Sequence, residues 1–328
     1  MPLFSLDDVA RAAKHMYQHM PATPQYSWPL INEAVGTEVW VKHENHTPAG
    51  AFKVRGGMTF MQWLRQSQPH CKGIITATRG NHGQSQARAA TAAGLSSTIL
   101  VPDGNSQEKN AAMAAFGAKV ITAGADFDAA REQVAVMAQE QALFAVPPFH
   151  EQLVLGVSTY ALELFQQLKD LDTVYVPIGC GSGICGLITI RDLLGLSTKI
   201  VGVVSTEAPA AKWSFESGKL QHSETANTFA DGVAVRQVVP EAYEIYARGA
   251  DRIVAVSDDE VANAIRVYYR CTHNVAEGAG ATPLAALLQE VDEKKERYQG
   301  KKVGVILCGG NIDTDLFATI LSGHTPRV

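Results

Sequence analysis

The feature that most constrains the fold is a regular alternation of short apolar runs with helix-length amphipathic segments. Nine runs have the length and composition of strands: EVWVKH, GIITAT, STILVP, KVITAG, ALFAVP, TVYVPIG, KIVGVVS, DRIVAVS and KVGVILCGG. Between them lie segments with the pattern of amphipathic helices, such as NHGQSQARAATAAG, QEKNAAMAAFG and DFDAAREQVAVMAQEQ. Because strands that alternate with helices form parallel sheets covered by helices, the sequence predicts an α/β protein.

Composition limits what such a fold can bind. The chain has 328 residues, 46% of them hydrophobic, which is enough for a core divided between two domains. A net charge of -5 and scattered Lys and Arg residues argue against binding to nucleic acid or anionic lipid. No leader or membrane span is recognisable, and five cysteines without paired spacing argue against disulfides. We therefore expect a cytoplasmic protein that binds small molecules or copies of itself, but no nucleic acid and no membrane.

Parallel sheets place their chemistry at the carboxyl ends of strands. Three strand ends carry unusual residues, because GIITAT runs into RGNHGQ, TVYVPI into GCGSGICG, and KVGVIL into CGGN. We expect these three ends to contain the functional residues.

One of these strand ends, GCGSGICG at residues 179–186, places glycines between a strand and an apolar helix. Backbone N–H groups at such a helix start suit a phosphate, although a tight turn that needs glycine is an alternative. The segment also matches the dinucleotide fingerprint, with Glu207 where a ribose-binding acid could lie. A nicotinamide-dependent oxidoreductase is therefore an alternative, but it leaves the first half of the chain without a role.

Another of the three strand ends, TRGNHGQ at residues 78–84, places Asn81 where a helix should begin. Asn81 could be a plain N-cap, or its amide and the open backbone N–H groups could bind a carboxylate and a phenolic oxygen. Arg79 adds a fixed charge, whereas His82 alone is weak evidence for a site.

The third, CGGN at residues 308–311, ends a strand that should be central in its sheet. Cys308 could be a small hydrophobic core residue. Its S–H group could also face the ring nitrogen of a ligand, since the glycines that follow leave room for one.

One further segment, HTPAGAFKVRGG at residues 46–57, places Lys53 between Phe52 and Val54. An ammonium group in apolar surroundings either reaches water or loses its charge. A neutral lysine is a nucleophile. The segment is therefore either a helix start that carries a lysine or a site of covalent chemistry.

These segments together resemble the fold-type II pyridoxal-phosphate enzymes, the group of threonine and serine dehydratases and serine racemase. The resemblance follows the family's order over nearly the whole chain and also includes Thr23-Pro24, Ser27, Lys42, Glu44, EKNAAM, FGAKV, GVSTYALE, FADGVAV and NVAEGAGA. It implies two three-layer α/β domains with mostly parallel sheets, as in the tryptophan synthase β subunit. Residues 1–70 and 150–328 would form the large cofactor-binding domain, and residues 71–149 the small substrate-side domain inserted in it. A homodimer is the family's usual state.

The resemblance also implies roles for individual residues. Lys53 would form a Schiff base with pyridoxal 5'-phosphate and act as the catalytic base. The other cofactor-binding residues would be Phe52, Asn81, Gly179, Cys180, Gly181, Ser182, Gly183 and Cys308. The substrate would lie against Thr78, Arg79, Gly80 and His82, and further candidates near the cofactor are Gly232 and Glu277, the latter in a hydrogen-bond network or in a purely structural role. The positions of the family's metal-binding acids are Val204 and Ala210, so no metal is expected.

The activity that the resemblance implies is a dehydratase, or ammonia-lyase, reaction. It would convert a β-hydroxy amino acid such as L-threonine or L-serine to a 2-oxo acid and ammonia. Arg79 replaces the second base of serine racemase, which disfavours an amino-acid racemase, and it could instead bind an acidic substrate such as 3-hydroxyaspartate or form a structural ion pair. Since the chain stops about one helix after CGGN, without the regulatory domain of biosynthetic threonine dehydratases, we expect a catabolic or specialised enzyme.

Overall fold

A computed structural model describes residues 3–125, 127–293 and 295–327. The α helices of this part of the chain are α1 Leu6–Met16, α2 Pro29–Val35, α3 Lys53–Ser67, α4 Asn81–Ala92, α5 Gln107–Ala115, α6 Phe127–Glu140, α7 Glu151–Gln167, α8 Ser182–Leu193, α9 Ala210–Ser217, α10 Pro240–Gly249, α11 Asp258–Thr272, α12 Gly278–Glu293 and α13 Thr314–Leu321. Short 3-10 helices lie at Glu44–His46, Asp231–Val233 and Lys295–Arg297. No helix within the described ranges is both long enough and apolar enough to cross a membrane.

The described strands form two sheets. They are β1 Gln25–Ser27, β2 Glu38–His43, β3 Gly73–Ala77, β4 Ser96–Val101, β5 Lys119–Thr122, β6 Phe144–Ala145, β7 Thr173–Pro177, β8 Lys199–Ser205, β9 Arg252–Val256 and β10 Lys302–Leu307. The larger sheet has the order β1-β2-β10-β7-β8-β9, in which only β1 is antiparallel to its neighbour. The smaller sheet has the order β5-β4-β3-β6 and is parallel throughout.

The α/β architecture with mostly parallel sheets is confirmed. Every strand of the smaller sheet lies between β2 and β7 along the chain, so this sheet is an insertion within the larger one. Each of the nine predicted apolar runs contains a strand, and β1 is the described strand that the sequence does not predict. The domain boundaries at 71 and 149 stay a prediction.

Both faces of the larger sheet are covered, which explains its continuous apolar strands. Side chains of β7 alternate between the two faces: Val174 and Val176 pack with the core under α7 and α8, whereas Tyr175 packs with the core under α11 and α12. This period of two is the geometry of a strand buried on both sides.

Helix α3 has a fixed position because its backbone touches that of α7. A Cβ atom added at Gly56 would lie 2.8 Å from the carbonyl oxygen of Leu153, and one added at Gly156 would lie 2.2 Å from that of Arg55. Neither position has room for a side chain. The first residue of α3 is Lys53, so this close contact also fixes where the lysine backbone lies.

A buried group of charged side chains, which we call the ionic cluster, joins α3 to β2 and α7. Its members are Lys42, Glu44, Arg55 and Glu163. Arg55 is fully buried and donates from Nε to Glu44 Oε2 at 2.7 Å and from Nη1 to Glu163 Oε1 at 2.7 Å. Lys42 Nζ donates to Glu163 Oε2 at 2.6 Å. Each charge therefore has a partner of opposite sign, as burial requires.

Candidate active site

The loops that follow β3, β7 and β10 meet at the start of α3. Phe52 N donates to the carbonyl oxygen of Cys308 at 2.9 Å, which joins the lysine segment to the end of β10. A Cβ atom at Gly183 would lie 3.7 Å from Phe52 Cε2, which places the glycine loop beside the same ring. From the smaller sheet, Ser85 Oγ of α4 donates to the carbonyl oxygen of Lys53 at 2.5 Å. The structure therefore brings together the three strand ends and the lysine.

Lys53 is half-buried in this site. Its Nζ atom lies 4.7 Å from the centroid of the Phe52 ring, so the aliphatic stem runs along an apolar surface. Burial raises the pKa of the Cys308 thiol well above its ordinary value, and the nearby Lys53 ammonium opposes this shift only in part. Cys308 is therefore a neutral thiol that can donate or accept only a weak hydrogen bond.

The glycine loop between β7 and α8 has the geometry of an anion cradle. Gly181 has a φ of +96°, in the left-handed region, and immediately precedes α8. A Cβ atom at Gly179 would lie 2.2 Å from the carbonyl oxygen of Gly232, and one at Gly181 would lie 2.6 Å from Ala242 Cβ. Bare backbone is thus required at both positions, and the first N–H groups of α8 have no helical partner of their own. Such an end favours a phosphate group.

Asn81 is the first residue of α4, and the residue before it, Gly80, makes no side-chain cap. The alternative in which Asn81 is a plain N-cap is wrong, because Gly80 takes the N-cap position and the Asn81 side chain bonds to groups outside the helix. Its Nδ2 donates to Glu277 Oε1 at 2.6 Å, and its Oδ1 accepts from Asn311 Nδ2 at 2.8 Å. We call Glu277, Asn81 and Asn311 the relay. Within the described residues, the second hydrogen on Asn81 Nδ2 has no acceptor, so it is available to a ligand.

Glu277 is a buried carboxyl group in this relay. Burial raises its pKa to about 7, although Lys109, the Asn81 amide and Lys53 all act to lower it. A Cβ atom added at Gly309 would lie 2.2 Å from Glu277 Oε1, so the backbone after β10 packs directly on the carboxyl group. The hydrogen bond to Asn81 places Glu277 in the hydrogen-bond network of the site.

His82 follows Asn81 and carries no charge near neutral pH. Burial lowers its pKa to about 3, and the Lys53 ammonium adds to this effect. Its Nε2 atom is shielded from solvent and has no hydrogen-bond partner in the described parts of the chain. A buried polar atom without a partner indicates a missing ligand or water.

The remaining predicted substrate-side residues have distinct environments. Thr78 is buried, and its Oγ1 accepts from Gly80 N at 3.1 Å. Arg79 is exposed and forms no ion pair with any described residue, which argues against the structural ion pair. Gly80 is buried beside Lys109, whose Cδ would lie 3.0 Å from an added Cβ atom. Gly232 lies against both the glycine loop and Ala279.

Sequence reasoning assigned no role to several residues that shape the site. Tyr160 OH donates to the carbonyl oxygen of Gly183 at 3.1 Å, and its ring meets the Phe52 ring edge-on at 6.2 Å between centroids. Asn311 and Ser85 hydrogen-bond to site residues that lie far from them in the chain. Tyr160 and Asn311 lie in quoted segments, GVSTYALE and CGGN, but nothing local to those segments indicates their partners.

The groups present fit pyridoxal phosphate. A lysine amine suits its aldehyde, a glycine loop at a helix start suits its phosphate, and a neutral thiol suits its ring nitrogen. The Asn81 hydrogen without an acceptor suits its phenolic oxygen. No group of three His, Cys, Asp or Glu side chains in the described ranges is placed to hold a metal ion.

Comparison with known proteins agrees with this fit. Residues 16–309 match the family model described as pyridoxal-phosphate dependent enzyme. The chain is 38% identical over 297 residues to an L-threonine ammonia-lyase of Geobacter sulfurreducens, covering 89% of this chain and 71% of that protein. It is 32% identical over 318 residues to an L-threo-3-hydroxyaspartate ammonia-lyase of Saccharomyces cerevisiae, covering 96% of each.

The fold is also found among solved structures. A processed form of threonine deaminase isoform 2 from Solanum lycopersicum is similar with a TM-score of 0.88 and 27% identity, over 98% of this chain and 96% of that one. These findings confirm the resemblance and overturn the nicotinamide alternative, in which the glycine loop and Glu207 would have bound a dinucleotide. The chain belongs to the pyridoxal-phosphate dependent enzymes, in the group of the threonine and serine dehydratases and serine racemase.

Proposed function

We propose that the protein is a dehydratase, or ammonia-lyase, of β-hydroxy amino acids such as L-threonine or L-serine. The products would be a 2-oxo acid and ammonia. The observation that carries the proposal is the convergence of Lys53, the glycine loop, Asn81 and Cys308 at one place between the two sheets. The names of the relatives support the reaction class.

Each site residue has a proposed task. Lys53 Nζ would bind the cofactor aldehyde and, once displaced by the substrate amine, would remove the proton from the substrate α-carbon. The loop from Gly179 through Cys180, Gly181 and Ser182 to Gly183 would hold the phosphate by its backbone N–H groups, and Phe52 would pack beside the ring. When bound, pyridoxal phosphate supplies the electron sink for the charge that forms at the α-carbon.

The start of α4 would bind the substrate carboxylate. The backbone N–H groups of Asn81 and His82 lie at the helix start, where a negative charge is stabilised. Those of Thr78 and Gly80 already donate to the carbonyl oxygen of Leu100 and to Thr78 Oγ1. His82 is neutral because of its low pKa, so its ring would contribute a hydrogen bond rather than a charge.

Replacement of Lys53 tests the proposal. We expect Lys53→Ala to lower the rate of 2-oxo acid release from threonine and serine by a factor of about 1,000 or more, because the variant lacks both the amine that binds the cofactor and the general base. The visible absorption band of the lysine-bound cofactor should disappear, and borohydride should no longer fix the cofactor to the chain. Lys169→Ala, at an exposed lysine, is the control and should keep both. Wild-type protein that binds no cofactor would contradict the proposal.

A second candidate substrate is 3-hydroxyaspartate. Arg79 is exposed and unpaired within the described part of the chain, so its guanidinium is free to meet a substrate carboxylate. The similarity to the yeast L-threo-3-hydroxyaspartate ammonia-lyase supports this choice. Since a guanidinium cannot exchange a proton readily, Arg79 does not support racemisation. Release of 2-oxo acid from a panel of β-hydroxy amino acids of both configurations would rank the candidates.

We also propose the domain division, assembly and location that the resemblance implies. All described strands of the smaller sheet fall within residues 73–145, which agrees with a small domain at 71–149 and a large domain at 1–70 and 150–328. A cytoplasmic homodimer remains the expected form. Light scattering of the purified protein would test the dimer by its mass.

A further inference from the structure

Asn311 lies behind Asn81, on the side away from Glu277. We propose that Asn311 is a positioning residue that fixes the direction in which the Asn81 amide faces. The inference rests on the proposed role of Asn81 at the phenolic oxygen of the cofactor. It assigns to Asn311 a task that the segment CGGN does not reveal.

The carbonyl oxygen of Ala49 fixes the orientation of the Asn311 amide. This oxygen lies 2.9 Å from the side-chain amide of Asn311 and can only accept a hydrogen bond. The Asn311 amide must therefore direct its NH2 group toward Ala49. The direction of the Asn311 side chain follows from a backbone atom whose chemistry is fixed.

The same NH2 group has a second hydrogen, which meets Asn81. The distance from Asn311 Nδ2 to the Asn81 side chain is 2.8 Å, so the Asn81 atom that faces it must be an acceptor. Asn81 Oδ1 consequently faces Asn311, and Nδ2 faces Glu277 Oε1 at 2.6 Å. The remaining Nδ2 hydrogen is then directed to the site.

The opposite orientation of Asn81 would be unfavourable at both ends. Its NH2 group would face the NH2 group of Asn311, and, whenever Glu277 is ionised, its oxygen would face a second acceptor, Glu277 Oε1. The two part-buried hydrogen bonds of the Asn81 side chain would then be lost together. A hydrogen-bond acceptor would also replace the donor that the phenolic oxygen requires.

Asn311 is itself held firmly. Gly50 has a φ of +66°, and a Cβ atom added to it would lie 2.3 Å from Asn311 Oδ1. Gly310 N donates to the carbonyl oxygen of Gly50 at 2.9 Å. Asn311 therefore packs on the backbone that leads to Lys53, and it ties the direction of the Asn81 amide to the lysine segment.

The test uses the holoenzyme and the pH at which its visible absorption band is half-converted. We expect Asn311→Asp and Asn311→Ala to move this midpoint by about one pH unit and to weaken pyridoxal phosphate binding roughly tenfold. In both variants the Asn81 amide would no longer be held with its NH2 group toward the phenolic oxygen. Asn81→Ala should cause a shift at least as large. Because Asn311 acts through Asn81, the double variant Asn81→Ala/Asn311→Ala should show the shift of Asn81→Ala alone.

Asn45→Asp is the matched control. Asn45 is another asparagine and lies next to Gly310, the residue before Asn311. Its Nδ2 bonds to Asn274 Oδ1 and to the carbonyl oxygen of Val275, each at 3.3 Å, and not to Asn81. We expect its midpoint to equal that of the wild type. Additive shifts in the double variant, or an equal shift in Asn45→Asp, would overturn the inference. An unchanged band in Asn81→Ala would instead contradict the proposed cofactor contact, on which the inference depends.

Discussion

Two polar networks contact the segment that carries Lys53, one through Arg55 and one through Asn311, and they differ in how their groups are paired. In the ionic cluster behind α3, Arg55 and Lys42 direct their donors to the carboxylates of Glu44 and Glu163. In the relay of Glu277, Asn81 and Asn311, a hydrogen on Asn81 Nδ2 has no acceptor among the described residues. Paired charges hold the fold together, whereas an amide hydrogen without an acceptor beside the lysine segment is available to a ligand.

The two networks also place their acids in opposite electrostatic environments. Burial alone would raise the pKa of Glu163, but Arg55 and Lys42 outweigh burial and lower it. Burial raises the pKa of Glu277 to about 7, because its nearby cations compensate only in part. One carboxyl group is therefore ionised to stabilise the fold, and the other is poised to take up a proton near neutral pH.

The largest expected effect comes from breaking the ionic cluster. Arg55→Met should lower the free energy of unfolding by about 3–5 kcal/mol, because it leaves the carboxylates of Glu44 and Glu163 buried without a guanidinium partner. Urea unfolding monitored by circular dichroism would measure the loss. Arg11→Ala, which breaks an exposed ion pair with Asp8, is the control and should cost less than about 0.5 kcal/mol. Equal losses would show that the cluster is not a structural anchor.

A second prediction separates the two acids by pH. A carboxyl group with a raised pKa stabilises the folded state below its ordinary pKa of 4.5, and this contribution is lost as the pH rises to about 7. The shift corresponds to about 3 kcal/mol, which Glu277→Gln should remove from the pH dependence of unfolding between these values.

Glu163→Gln serves as the comparison for that experiment. Because the pKa of Glu163 is lowered, its stabilisation is present above the ordinary value of 4.5 and is lost as the pH falls. Its variant should therefore change only the acid side of the profile. If both variants altered the same pH range, the proposed contrast between the networks would be wrong.

The smallest expected effect is at Arg79. Since this side chain is exposed and unpaired within the described ranges, Arg79→Ala should change the free energy of unfolding by less than about 0.5 kcal/mol. Its kcat/KM for 3-hydroxyaspartate should fall roughly tenfold relative to threonine, as expected when a charge-assisted hydrogen bond is removed. An unchanged ratio would leave Arg79 without a role in substrate choice.

The fold was predictable because its strands are continuous apolar runs. Parallel strands buried on both faces can be recognised from their own apolar sequence, without knowing which strands lie beside them. Strands β7 and β10 are examples. Strand β1 was not predicted, because its three residues are too few for a periodic pattern and it depends on antiparallel pairing with β2. Its existence is a property of tertiary contact.

The site was predictable in its positions but not in its side-chain partners. The sequence places Asn81, Cys308 and the glycine loop at strand ends, of which the first belongs to the smaller sheet and the other two to the larger sheet. Nothing local shows that Asn81 bonds to residues 277 and 311 rather than capping its own helix. Likewise, Arg55 looks like an ordinary helix surface residue until Glu163, 108 positions away, is placed against it.

The direct backbone contact of α3 with α7 has a consequence for how this enzyme can diversify. Gly56 and Gly156 leave no volume for variation, so a mutational library should return almost only glycine at both positions. The exposed guanidinium at position 79 should accept many replacements. Substitutions at exposed positions such as Arg79 would then change which substrates bind, while the packing of α3, which positions the reactive amine of Lys53, would stay the same.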